Sequence, residues 1–138
     1  MRLEKVQHRA TRLVPSLRVL NYEQRLQVLN ITSLETRRIR GDLIQTFKII
    51  NGFDNITWNT PNVFNPRLDV HYTRGHCFKL TREVVKNCEQ RHNFYTNRVV
   101  NNWNALPINM VSAPSINSFK ARLDCLLIDG CPDSQRCA

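Results

Sequence analysis

The sequence predicts a mostly α-helical fold: a small domain of about five helices, with a short β-hairpin and a long irregular loop. Three observations carry that prediction. Apolar residues return every three or four positions through most of the chain, which is the period of a helix with one buried face. Start and stop signals bracket those stretches: Asn21, Thr32 and Ser115 open them, and Gly52 and Pro107 close them. Finally, 138 residues is the length of one domain with a modest core. On this pattern the chain divides into an N-terminal three-helix segment (1–52), a linker or loop (53–75), a hairpin with two further helices (76–128) and a disordered tail (129–138).

The first helix is expected from Arg2 to Val14. Leu3, Val6, Ala10, Leu13 and Leu17 share one stripe, Lys5, Arg9 and Arg12 share another, and Pro15-Ser16 ends the run. Such segregation gives a basic amphipathic helix. Its charged side reads either as a solvated outer face or as one that tracks phosphates. The second helix follows Asn21 as N-cap, with Tyr22, Leu26 and Leu29 at i, i+4 and i+7. In the third, Thr32 and Glu35 have the spacing of a capping box, and Ile39, Leu43, Phe47 and Ile50 form the buried stripe. Gly52 supplies the left-handed position after it. Arg37, Gly41 and Lys48 fall on the opposite side, flanked by Arg38.

From Phe53 to Gly75 the period dissolves into Asn and Pro, with Trp58 and Phe64 as possible anchors. So long a stretch without a pattern is a linker, a binding loop or a hinge. Between His76 and Glu89, Phe78 and Leu80 alternate with Lys79 and the Val84-Val85 pair is β-branched, which suggests the hairpin. Tyr95, Val99, Trp103 and Leu106 then define a helix stopped by Pro107. Ser115 caps a last one with Ile116, Phe119, Leu123 and Leu126 on its buried edge.

Composition narrows the function classes. The formal charge is +9, the pI is near 9.9, and residues 1–52 hold ten Lys/Arg against four acids. A field of that sign favours polyanionic partners, nucleic acid foremost. No apolar run approaches the roughly 20 residues of a bilayer span, and no apolar stretch of signal-peptide type follows Met1, so no membrane is expected and an intracellular setting, cytoplasmic or nuclear, is. In that setting the sequons at Asn30 and Asn55 are coincidental. Five cysteines without an export signal read as free thiols.

The chemistry-bearing residues do not assemble into a reaction centre on paper. His71, His76, Cys77, Cys88 and His92 supply enough ligands for zinc, but His76 and Cys77 are adjacent and there is no Cys-x2-Cys knuckle. Cys125, Cys131 and Cys137 recur every six residues in the tail without a ligand pattern. A Cys–His nucleophile pair lacks an oriented third member. Two-metal catalysis needs clustered carboxylates, and the aspartates here stand singly. The expectation is no catalysis by this chain itself, no cofactor and no metal. Arg74, Lys79, Arg82, Lys86, Arg91 and Arg98 space positive charge around the proposed hairpin, equally readable as a solvated face or a ribbon for a phosphate backbone. Phe94 and Trp103 could stack on bases, but their helical spacing points to core packing.

Six motifs in one order suggest a family. LEKVQHRATRLV, YEQRL, SLETRRIRGDLIQTFKIINGFD, TRGHCFKL, NFYTNRVVNNWNALP and VSAPSINSFKARLD run collinearly from Leu3 to Asp124. Together they resemble the C-terminal end of jockey-like non-LTR retrotransposon reverse transcriptases. Each motif alone is weak, and it is their order that makes the similarity specific. In that family an endonuclease, the polymerase fingers and palm, and the thumb come first. The resemblance therefore implies that the palm's metal-binding aspartates lie upstream, and that this chain is a truncated fragment beginning where the thumb would end. It implies an accessory role beside the thumb, on template RNA or target DNA, with the upstream polymerase domain as a partner. The tail after Asp124 departs from the shared pattern, and a retrotransposon zinc knuckle is not visible.

Charge and spacing single out Lys5, Arg9, Arg12, Arg37, Arg38, Arg74, Lys79, Arg82 and Arg98 as candidate nucleic-acid contacts. Two rival readings stand beside this one: a helical protein–protein adaptor that uses the exposed edges of its N-terminal helices, and a degenerate element remnant with no selected activity. The sequence does not disclose the oligomeric state.

Overall fold

The computed structural model describes residues 2–57 and 77–129. It is mostly helical, in the order α1 (Arg2–Arg12), a 3-10 turn (Pro15–Leu17), α2 (Tyr22–Val28), α3 (Leu34–Ile50), α4 (Glu89–His92), α5 (Tyr95–Asn104), α6 (Ile108–Val111) and α7 (Ile116–Asp129). The five expected helices are α1, α2, α3, α5 and α7. The other two are single turns, too short for periodicity to register. Most of the long loop, with Trp58, Phe64, His71, Arg74 and His76, lies outside the described residues, as does the tail from Gly130. The chain forms two compact units, Met1–Ile39 and Arg40–Ala138. The sequence pattern instead puts a segment boundary at residue 52, where the run of helix period stops.

In the first unit, polar groups set the packing. The capping box belongs to α2: Asn21 Oδ1 accepts from the Gln24 amide at 2.8 Å, and Gln24 Oε1 accepts from the Asn21 amide at 3.1 Å. α2 ends in a Schellman motif, with Asn30 left-handed (φ 51°), its amide donating to the Gln27 carbonyl and the Ile31 amide to that of Leu26. Thr11 and Arg25 are buried between the two helices. Arg25 Nε donates to Thr11 Oγ1 at 3.1 Å and Nη1 to the Leu20 carbonyl at 2.6 Å. The expected apolar stripe of α1 is not the packed side. Leu17 is buried, but Leu3, Val6 and Leu13 stay largely exposed, because the face turned to α2 is the one carrying Glu4, Gln7 and Thr11.

At the start of α3 the cap is Ser33, one residue later than the Thr32–Glu35 pattern places it. Ser33 Oγ accepts from the Thr36 amide at 3.0 Å, while Thr32 gives its carbonyl to Gln7 Nε2. The C-terminus is as expected. Gly52 is left-handed (φ 72°), its amide donates to the Ile49 carbonyl and the Phe53 amide to that of Lys48. The Phe53 ring closes the motif by stacking on Phe47, with centroids 6.4 Å apart.

The core of the second unit is built from Leu43, Phe47, Val99, Val100, Trp103, Leu106, Met110, Phe119 and Leu123, all buried. Phe47 and Phe119 stack with centroids 4.3 Å apart, and Trp103 meets Phe119 at 6.2 Å. Two bidentate ion pairs close its rim: Arg98 to Asp42 at 2.7 and 2.8 Å, and Arg40 to Asp124 at 2.5 and 2.8 Å. Ser115 caps α7 through the Ser118 amide.

The expected β-hairpin is not there. Among the described residues no strand forms, and 79–86 is a strap outside any helix or strand. Its backbone groups are taken by side chains of α5 in place of a partner strand. Asn104 Oδ1 accepts from the Leu80 amide at 2.8 Å while its Nδ2 donates to the Leu80 carbonyl at 2.9 Å. Asn97 Oδ1 accepts from the Glu83 amide at 3.0 Å, and Trp103 Nε1 donates to the Phe78 carbonyl at 2.8 Å. Leu80 is buried, but Phe78 and Lys79 are both half-buried, so the alternation in the sequence marks Leu80 as the anchor of a clamped strap and does not carry over into a ladder.

Candidate functional site

In the first unit, one face of α1 and the start of α2 form an open groove lined by Glu4, Lys5, His8, Arg9, Arg12 and Tyr22. At about 100° per residue, Glu4, His8 and Arg12 follow one another along one line of α1, with Lys5 and Arg9 beside it. Lys5, Arg9 and Arg12 are exposed, and among the described residues none of them pairs with a carboxylate. The floor is aromatic and fixed. Tyr22 Oη donates to Glu4 Oε1 at 2.5 Å, and the His8 ring lies 4.9 Å from the Tyr22 ring, tilted by 38°. The guanidinium of the buried Arg25 sits 5.8 Å from the same ring. Burial pushes the Tyr22 hydroxyl up to about 12, helped by its bond to the Glu4 carboxylate and opposed by the charges of Arg25 and Arg37. The phenol is therefore a neutral donor at any physiological pH, and it ties up the one carboxylate in the groove.

Three solvated cations over a fixed aromatic floor suit an extended anion better than a small one. Lys5 and Arg9 are separated by about 6 Å along the helix axis and Arg9 and Arg12 by about 4.5 Å, at 1.5 Å rise per residue. The groove is open along its length, and no buried donor in it selects a compact ligand.

The other candidates are distributed differently. Arg37, in the same unit, is exposed, with Nε 3.4 Å from Thr32 Oγ1, and it acts on Tyr22 electrostatically. Arg38 is exposed on α3. In the second unit Lys79 lies half-buried on the strap. Arg82 Nη2 donates to His92 Nε2 at 3.1 Å, and Arg91 pairs with Glu83 at 2.9 Å. Arg98 is not an open cation: its guanidinium is committed to Asp42 and lies 5.7 Å from the Tyr95 ring. Arg74 is outside the described residues. Of the zinc-type ligands, Cys77 and Cys88 are exposed free thiols, and among the described residues no three His, Cys, Asp or Glu side chains converge.

Sequence reasoning found the three cations of the groove and missed His8, Glu4 and Tyr22. The first two were visible on α1 at four and eight residues before Arg12. Tyr22 was not, because its side chain reaches the groove only once α2 folds back. It was read as apolar, whereas its hydroxyl does the work.

Fold and site together define a small basic helical domain with an open cationic groove. No protein-family model, no curated protein and no solved structure matches the chain. Among the described residues, no helix is long and apolar enough to cross a membrane.

Proposed function

We propose that this chain is the non-catalytic C-terminal piece of a retrotransposon RNA-directed DNA polymerase. In this reading it grips nucleic acid through the groove of α1, as an accessory to an upstream polymerase body. The observation that carries the binding mode is the row Lys5, Arg9 and Arg12, open to solvent and uncommitted to carboxylates among the described residues, whereas Arg40, Arg91 and Arg98 are spent on ion pairs. Origin is supported by the collinear motifs from Leu3 to Asp124. The cations take successive phosphates and the Tyr22–His8 floor offers a base or sugar a flat surface. Such contacts position a strand and carry no sequence preference.

The binding test is a salt titration of the full chain against fluorescein-labelled duplex DNA and a labelled RNA hairpin. Three phosphate contacts give log K a slope of about −2.7 against log salt on duplex DNA. The triple variant Lys5→Gln, Arg9→Gln, Arg12→Gln is expected to flatten that slope by about the same amount with an unchanged helical CD spectrum. An unaltered slope removes the groove from the interface. Origin is tested separately, by the genomic sequence upstream of the Met1 codon: palm-type aspartate motifs in frame or just out of frame are expected, and an unrelated reading frame there overturns the retrotransposon assignment.

A further inference from the structure

α1 has three sides, and α2 covers one of them. On the covered side stand Gln7 and Thr11, with Glu4 at its edge with the groove; on the second stand Lys5, Arg9 and Arg12; on the third, Leu3, Val6 and Ala10 form an apolar stripe that Leu13 continues just past the helix end. That stripe is bare: Leu3 is 74% exposed, Val6 64% and Leu13 71%. A helix that buries its polar edge and leaves its apolar edge in water has its hydrophobic contact still to make.

We infer that this stripe docks an acidic amphipathic helix of a partner protein. The i, i+3, i+7, i+10 spacing from Leu3 to Leu13 is that of a helix–helix seam, and Ala10 between Val6 and Leu13 leaves room for a partner ridge. Arg9 borders the stripe between Val6 and Leu13, so a carboxylate at the flanking position of an incoming helix meets it directly, as the edge charges of a coiled coil do. The same charge argues against a second copy of this chain. A two-fold pairing of α1 with itself through the stripe would set Arg9 against its own copy in a molecule already at +9. A lipid surface fits less well, since the stripe has no aromatic residue to anchor at the headgroup level and spans an 11-residue helix. The inference does not rest on the nucleic-acid reading: its apolar stripe is a different side of α1, and the two share only the bordering Arg9.

The probe is a labelled three-heptad peptide with Leu at a and d and Glu at e and g, titrated into the full chain by fluorescence anisotropy. Saturable binding is expected, about tenfold or more tighter than for the same peptide with Lys in place of Glu. The double variant Val6→Ser, Leu13→Ser changes exposed positions only. It is expected to lower affinity for the Glu peptide by about tenfold or more while CD and duplex DNA binding stay as they are. Equal affinity of the variant and the parent chain overturns the proposal, as does an absence of peptide binding. Dimerisation in sedimentation, or binding to phosphatidylserine vesicles, that depends on Val6 and Leu13 while the peptide does not bind would overturn it in favour of those occupants.

Discussion

Arginines of one formal charge perform three physically different tasks in this chain. Arg25 is 3% exposed and acts as a hydrogen-bonding strut between helices, Arg40 and Arg98 clamp carboxylates at a core rim, and Arg9 and Arg12 stand in solvent. Only the last group is available to a ligand without dismantling structure. The clamp on Asp124 has a pH signature. The Arg40 hydrogen bond holds the Asp124 carboxyl below the usual carboxylate range, outweighing the opposing effect of burial. A carboxyl depressed in the folded state contributes stability that is complete above its unfolded value, about 3.9, and is lost as pH falls through the folded value. The stability difference between the parent chain and Arg40→Ala, measured by urea unfolding, is therefore expected to be constant above about pH 5 and to shrink as pH drops below about 4. A difference that persists undiminished to lower pH would assign the Arg40 contribution to its alkyl packing instead.

At the scale of elements, the strap 79–86 shows why a strand pattern need not make a strand. A lone segment outside any helix or sheet must satisfy its amides and carbonyls somewhere, and here Asn97, Trp103 and Asn104 of α5 do that work. Asn104 is the informative position because it supplies both a donor and an acceptor to Leu80. Asn104→Ala leaves both Leu80 backbone groups without their partner, and a cost of about 1–3 kcal/mol is expected in urea unfolding. The Leu80 amide should exchange with deuterium faster while the amides of α7 keep their protection. If Leu80 exchange stays unchanged, the strap is held by Leu80 burial alone. The helix ends, by contrast, were largely legible. Gly52, Asn21, Ser115 and Pro107 are local signals that act through backbone groups within four residues, so no tertiary knowledge is needed to place them. The cap of α3 was misplaced by one residue because Thr32 and Ser33 both qualify chemically, and the contact from Gln7 to the Thr32 carbonyl belongs to tertiary structure.

Across the whole chain, the two compact units differ in what holds them. Among the described residues, Leu17 is the buried apolar side chain of Met1–Ile39, alongside the polar pair Thr11 and Arg25. The core of Arg40–Ala138 includes Trp103, Phe47, Phe119 and Leu123, each at most 1% exposed. Apolar burial is the dominant stabilising term, so the first unit is expected to open at lower free energy. Native-state hydrogen exchange should show α1 and α2 amides exchanging well before those of α5 and α7, with separate denaturant dependences. A single cooperative exchange across all four helices would contradict this. The same asymmetry bears on the candidate site: the groove of Lys5, Arg9, Arg12 and Tyr22 sits in the softer unit, where a bound polyanion has most to stabilise.

The mostly helical class, the five principal helices, the Asn21 and Ser115 caps, the Gly52 stop and the cationic row on α1 were determined by the sequence alone. Each depends on residues within one or two turns of one another, and local spacing fixes such relations. Which side of α1 is covered, that Arg98 is committed to Asp42, and that Tyr22 floors the groove were decided only by tertiary structure. Those outcomes turn on partners 18 and 56 residues away, whose pairing is set by how helices pack and by which polar groups find a match out of water.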